Sequence, residues 1–176
     1  PGFCSSPRIP ELSAMAVETI VFGEAYDHVM EEIKRETSEK DMALSKRVSI
    51  LVDTANALKI DVYAHISEDA IRSIEMLPSH HSVEEKLRCC VELLQLVSEV
   101  GSNANMGADF LLTLVCQHLA LAKVPCLNAE CAFLEEFATD ELLLQGKEGY
   151  ALVTIQASIH FLNASKNIVQ DLFLEM

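Results

Sequence analysis

From Phe110 to Ala122 the chain runs Phe-Leu-Leu-Thr-Leu-Val-Cys-Gln-His-Leu-Ala-Leu-Ala without a single charged residue. At the helical period these side chains cover almost every face of the cylinder, and a helix apolar all round is buried on most sides. The segment is therefore expected at the centre of the molecule, and the rest of the chain has to surround it. Only its first turn can reach solvent, so Asp109, directly before it, should stand out from a rigid support. Pro125 marks where the helix ends.

The surrounding elements read as helices too. At 176 residues and 50% hydrophobic, the chain has enough apolar side chains for a sizeable core. The absence of Trp, with only 6 Gly and 5 Pro among many Leu, Ala and Glu, favours helix over sheet. Apolar spacing predicts one helix over Glu11 to Arg35, with Gly23 a point at which it can divide into two pieces, and a second over Ser38 to Leu58 with Met42, Leu44, Val48, Leu51, Val52 and Ala55 as its stripe. Ser67 is placed to cap a short helix, Glu68 to Leu77, before Pro78, and Ser82 with Glu85 has the capping-box spacing that opens Val83 to Val100. Gly101 to Gly107 is a loop by composition. Asn128 is placed to cap a helix through Phe137, Asp140 to Gln145 forms a short helical or turn piece, and Ala151 to Leu162 carries Leu152, Ile155, Ile159 and Leu162 on one stripe. The only strand-like alternation is Ile60 to Ile66. The fold class is all-α: a layered helical domain with an N-terminal helical bundle extension, divided as leader or expression remnant (1–10), helical extension (11–81) and core domain (82–176).

Charge narrows the function classes. The formal net charge is −14, and after residue 100 only Lys123, Lys147 and Lys166 are positive. Nucleic acids and anionic lipid surfaces need clustered Lys and Arg, so neither suits this chain. An acidic surface fits a partner with a basic patch. No stretch of about 18 uncharged apolar residues and no basic region leading into an apolar run is present, so a soluble, intracellular domain is expected. The cysteines, Cys4, Cys89, Cys90, Cys116, Cys126 and Cys131, lack zinc-ligand spacing and read as reduced, small hydrophobes. His80 and His81 fall in a loop with no ligand spacing, and His118 and His160 read as packing residues within helices. No nucleophile, metal set or phosphate-binding glycine loop supports covalent enzymology.

Two motifs remain. Gly107-Ala108-Asp109-Phe110-Leu111-Leu112 opens the central helix, and 41 residues after Asp109, Tyr150 closes Gly146-Lys147-Glu148-Gly149-Tyr150. Alone, Asp109 reads as a helix N-cap and Tyr150 as an aromatic at a helix start. Tyr150, Val153 and Ala157 share a stripe beside the core-facing one, available to a partner. Taken together with Glu85-Lys86-Leu87-Arg88-Cys89, Phe133-Leu134-x-x-Phe137 and Ala157-Ser158-Ile159-x-Phe161-Leu162, the motifs resemble in content and order the vacuolar-protein-sorting-nine domain, an exchange-factor module for Rab GTPases.

That resemblance implies a guanine nucleotide exchange factor for Rab GTPases of the early-endosomal, Rab-five branch, a GTPase regulator without covalent chemistry and with no cofactor of its own. It matches Asp109 to the family's catalytic aspartate finger and Tyr150 to its GTPase-engaging tyrosine, with Ala108, Phe110, Thr113, Val153, Thr154 and Ala157 on the partner-binding face. It also implies a place in a larger multidomain protein, in the cytoplasm and recruited to endosomal membranes through its GTPase or flanking domains, without membrane insertion. Three positions depart from the family pattern: Phe110 replaces a second acidic residue, Thr113 a proline and Val153 a hydrogen-bonding threonine. A catalytically weakened Rab-binding or scaffold module is the alternative.

Overall fold

The computed structural model describes residues 9–101, 107–139, 146–165 and 168–173, with backbone alone for 9–24, 101 and 108. The elements are α1 (Ile9–Ala57), α2 (Glu68–Glu75), a 3-10 turn (Leu77–Ser79), α3 (Val83–Gly101), α4 (Ala108–Leu121), α5 (Leu127–Phe137), α6 (Lys147–Ala164) and α7 (Ile168–Phe173). No strand occurs among the described residues. The fold is all-α. Residues 1–8, positions 102–106 of the loop expected over Gly101 to Gly107, and the short helix or turn expected over Asp140 to Gln145 lie outside the described residues.

The central helix is α4. From Leu114 to Ala120 every side chain is buried, Gln117 and His118 included. α3 and α6 pack along α4 and against each other, α2 lies against α3 and α4, and α1 runs across α5 and α6. The buried polar groups of α4 are satisfied. Gln117 donates its amide to the Leu172 carbonyl of α7. His118 Nδ1 lies 2.7 Å from the Leu114 carbonyl, and the Ser67 amide donates to its Nε2 at 3.0 Å. These two bonds fix the neutral ring with its proton on Nδ1, and burial lowers the His118 pKa below the usual imidazole value.

α1 differs from expectation. A single helix of 49 residues stands where two were predicted, and neither Gly23 nor the Thr37-Ser38 pair interrupts it. The cause is a continuous seam: Tyr26, Met30, Thr37, Asp41, Leu44, Leu51 and Ala55 are buried at steps of three, four or seven residues. Breaking the helix at Thr37 would rotate half of that seam off the core. Thr37 also satisfies itself inside the helix, donating to the Ile33 carbonyl at 2.9 Å. Met42, expected on the buried stripe, is 65% exposed; it follows Asp41, which occupies the seam instead. The helix ends in a Schellman motif with Lys59 in the left-handed region (φ 57°). The Ile60 amide reaches the Ala55 carbonyl and the Lys59 amide the Asn56 carbonyl, both at 3.0 Å. The Ile60 to Ile66 alternation lies in the turns that follow.

The caps were partly legible. Ser67 accepts the Ala70 amide at 3.2 Å and caps α2. Ser82 accepts the Glu85 amide at 3.3 Å, and its hydroxyl lies 2.8 Å from the Glu85 carboxylate. Asn128, however, does not cap α5. Cys126 holds the N-cap position without a side-chain bond, and Asn128 lies inside the first turn.

One buried charge pair stands out. Lys86 and Glu130 are both fully buried and joined by an ion pair between α3 and α5. The Lys86 ammonium also donates to the Leu77 carbonyl at 2.9 Å and lies 5.3 Å and 5.6 Å from the ring centroids of Tyr26 and Phe133. Burial, then the Glu130 charge, pushes the Tyr26 phenol up to about 12. Cys89, Cys90, Cys116 and Cys131 are buried free thiols. Burial pushes Cys90 and Cys116 up to about 12, far from a reactive thiolate.

Candidate GTPase-binding site

Asp109 is the second residue of α4, not its cap. Gly107 holds the N-cap position with extended backbone (φ −77°, ψ 163°) and offers no side-chain cap bond. The correction matters chemically. A capping carboxylate folds back onto backbone amides, whereas a first-turn carboxylate projects outward while the positive end of the helix dipole stabilises its charge. Asp109 is exposed, and its carboxylate makes no hydrogen bond or ion pair to another described residue. The turn behind it is held firmly: the Leu111 amide bonds the Gly107 carbonyl at 3.2 Å, and the Thr113 hydroxyl donates to the Asp109 carbonyl at 3.0 Å.

Tyr150 sits in the first turn of α6, which Gly146 opens with extended backbone (φ −126°, ψ 172°). Gly149 before it is buried, and Tyr150 itself is 58% exposed. The core stripe of α6 is as the spacing predicts, with Leu152, Ile155, Ile159 and Leu162 buried. On the neighbouring face Val153 is 63% exposed, Ala157 is exposed and Thr154 is half-buried. The Thr154 hydroxyl is turned back onto the Tyr150 carbonyl at 2.7 Å.

The two helix starts lie at one end of the molecule. Ser98 and Glu99 near the C-terminus of α3 line a cleft of about 510 Å³ together with Lys147 and Tyr150 of α6. From that end of α3 the chain returns within a few residues to Gly107 and α4. α4 and α6 then run side by side, with the Cys116 thiol of α4 3.6 Å from the Ser158 carbonyl of α6. Cys116 lies seven residues after Asp109 and Ser158 eight after Tyr150, so both candidate side chains stand roughly 10–12 Å back along neighbouring axes, at a rise of 1.5 Å per residue. The expected partner-binding residues thus divide. Tyr150, Val153 and Ala157 are exposed, Thr113 and Thr154 are half-buried and internally bonded, and Phe110 is half-buried and packed against the core. Of Ala108 only the backbone is described, in the first position of α4.

Sequence reasoning missed the apolar floor of the cleft beside Tyr150, formed by Val91, Leu94 and Ala151. Val91 and Leu94 are apolar and buried in α3, and nothing in the local sequence distinguishes a core residue from one at the bottom of a groove.

No curated protein matches the chain in overall comparison. A family model does, over residues 67–167, more than half of the chain, from the cap of α2 to just beyond α6. Both helix starts, and the cleft between α3 and α6 beside Tyr150, fall within that span. The chain belongs to the family of the Vacuolar sorting protein 9 (VPS9) domain, the exchange domain for Rab GTPases.

Proposed function

We propose that this domain accelerates nucleotide release from Rab GTPases of the early-endosomal, Rab-five branch, with Asp109 as the inserted finger and Tyr150 as the aromatic anchor. The observation that carries this reading is the exposure of one carboxylate and one tyrosine on adjacent helix starts, the first on the central helix α4 and the second on α6, which buries one stripe against the core. A Rab-type GTPase holds the β-phosphate with its P-loop lysine and Mg²⁺. A carboxylate delivered there takes the lysine, repels the phosphate and disfavours the metal. At an effective dielectric near 20, one such contact at about 4 Å is worth roughly 4 kcal/mol, about a thousandfold in nucleotide affinity. Linkage is reciprocal, so incoming GTP weakens the exchange complex by the same factor and releases it.

The face suits this partner in a further respect. Tyr150 and Val153 form an exposed apolar pair, and anchors of this kind dominate interface energetics when a partner covers them. Within a larger multidomain protein, the domain works in the cytoplasm on endosomal membranes reached through its GTPase or flanking domains. The test is release of a fluorescent guanine nucleotide across a panel of Rab GTPases. Acceleration on the early-endosomal members, lost in Asp109→Ala, is the expected result. Binding to those Rabs with no acceleration identifies the second reading, a scaffold that keeps the face but not the activity; the apolar Val153, in place of a hydrogen-bonding residue, favours it.

A further inference from the structure

α1 lies outside the segment that the family model matches, yet it supplies what two helices inside that segment lack. α5 has no side-chain cap of its own. Its one first-turn acid, Glu130, is committed to Lys86. The missing acceptor comes from Asp41 of α1, whose Oδ1 takes the Asn128 backbone amide at 2.8 Å and the Asn128 side-chain amide at 2.9 Å. Asp41 is buried, and its other oxygen accepts the Thr37 hydroxyl at 3.2 Å.

α6 shows the mirror-image deficiency. Its last turn carries no basic residue, and the final carbonyls of a helix have no partners within it. Arg47 of α1 fills this gap by donating to the carbonyls of Leu162 and Ser165. A planar guanidinium serves two acceptors with fixed geometry, and its charge suits the negative end of the helix dipole. One helix therefore presents an acid to the start of α5 and, six residues later, a base to the end of α6.

We propose that Asp41 and Arg47 are positioning residues for the GTPase-binding face, through which α1 seats the start of α5 and the end of α6. The inference rests on the reading of Tyr150 given above. The Leu162 end of α6 lies 12 residues from Tyr150, a lever of about 18 Å. A pivot of roughly 10° about the far end would carry Tyr150 through about 3 Å, enough to spoil its relation to Asp109 on α4.

The test uses the full chain with Arg47→Met, Arg47→Lys and Asp41→Asn, read two ways. One is hydrogen exchange at the amides of residues 151–155 under conditions where circular dichroism shows each variant folded. The other is nucleotide release from a Rab GTPase, split into kcat and KM. For Arg47→Met, protection at 151–155 should fall and KM should rise about tenfold, with kcat within twofold; Arg47→Lys, which keeps one donor, should recover part of both. Should Arg47→Met fail to fold, Arg47→Lys and Asp41→Asn carry the same readouts with smaller changes. Unchanged protection and unchanged KM in folded variants that merely melt earlier would overturn the proposal. If the wild-type chain releases nucleotide from no Rab, the activity reading fails by itself, and protection at 151–155 still decides whether Arg47 seats α6.

Discussion

The two ends of α3 handle charge in opposite ways. At its N-terminal end Lys86 and Glu130 are sealed from water, held by each other, by the Leu77 carbonyl and by the faces of Tyr26 and Phe133. At its C-terminal end the chain turns into α4 and leaves Asp109 exposed on a first turn. The buried pair recovers its desolvation cost only because each charge has the other. Asp109 is left open to solvent on the first turn of α4. Charge buried here specifies structure, and charge exposed on a rigid turn is free to act elsewhere.

The largest effect should come from splitting the buried pair. Lys86→Met leaves Glu130 charged without its partner and should cost about 3–5 kcal/mol in denaturant unfolding. The double variant Lys86→Met/Glu130→Leu should regain most of that loss, since apolar replacement of a whole buried pair is often neutral or better. A double variant as unstable as the single one would show that the pair contributes more than mutual neutralisation.

Asp109→Ala should reverse the pattern. Exchange efficiency should drop by at least about a hundredfold, roughly 2.7 kcal/mol in the transition state. Stability should move by less than about 1 kcal/mol, because an exposed first-turn acid offers only a dipole interaction. Wild-type release rates in a folded Asp109→Ala protein would remove the finger from the mechanism.

Tyr150→Ala should weaken GTPase engagement by about 2 kcal/mol, the common cost of truncating a central aromatic anchor. Val153→Thr should leave efficiency equal or up to about fivefold higher, for one regained hydrogen bond of about 1 kcal/mol. Titration of the Rab against each variant at fixed nucleotide load separates these outcomes. An unchanged Tyr150→Ala or a strongly impaired Val153→Thr would move the binding surface elsewhere.

The smallest effect is a pH dependence. His118 is held neutral, with Nε2 accepting the Ser67 amide, and burial lowers its folded pKa below the unfolded value near 6.5. The unfolded state therefore binds the proton first as pH falls. The His118 contribution is fully present above about pH 6.5 and is lost as pH drops toward the lowered folded pKa. Unfolding free energy measured between pH 7.5 and 5 should fall on the acid side, with a shallower slope in His118→Gln. An identical slope would assign the acid sensitivity to other groups.

Much of the helical plan was legible locally. Within the uncharged run after Asp109, Leu114 to Ala120 are buried at the centre while its two ends are half-buried, the stripe of Leu152, Ile155, Ile159 and Leu162 faces the core, and Ser67 and Ser82 cap where their spacing indicated. Each of these depends on side chains within one or two turns of one another. The readings that failed were also local, but their outcomes were set from a distance. The stretch between Arg35 and Ser38 read as a gap between two helices, yet the seam on both sides of it faces one core, and Asn128 read as a cap although the acceptor for its amide, Asp41, lies 87 residues earlier.

By itself, then, the sequence determined helix content, the identity of the central helix and the motif residues at the starts of α4 and α6, because periodicity and capping are short-range physics. Tertiary structure alone decided that Asp109 projects from a first turn instead of capping it, that α3 carries the chain to the end where Tyr150 stands, and that Lys86 finds Glu130. It alone also joined Asp41 and Arg47 to the ends of α5 and α6. Those pairings link residues 44 to 118 positions apart. A charge or a carbonyl at a helix end shows in sequence only that it needs a partner, and which group supplies it depends on how the helices pack.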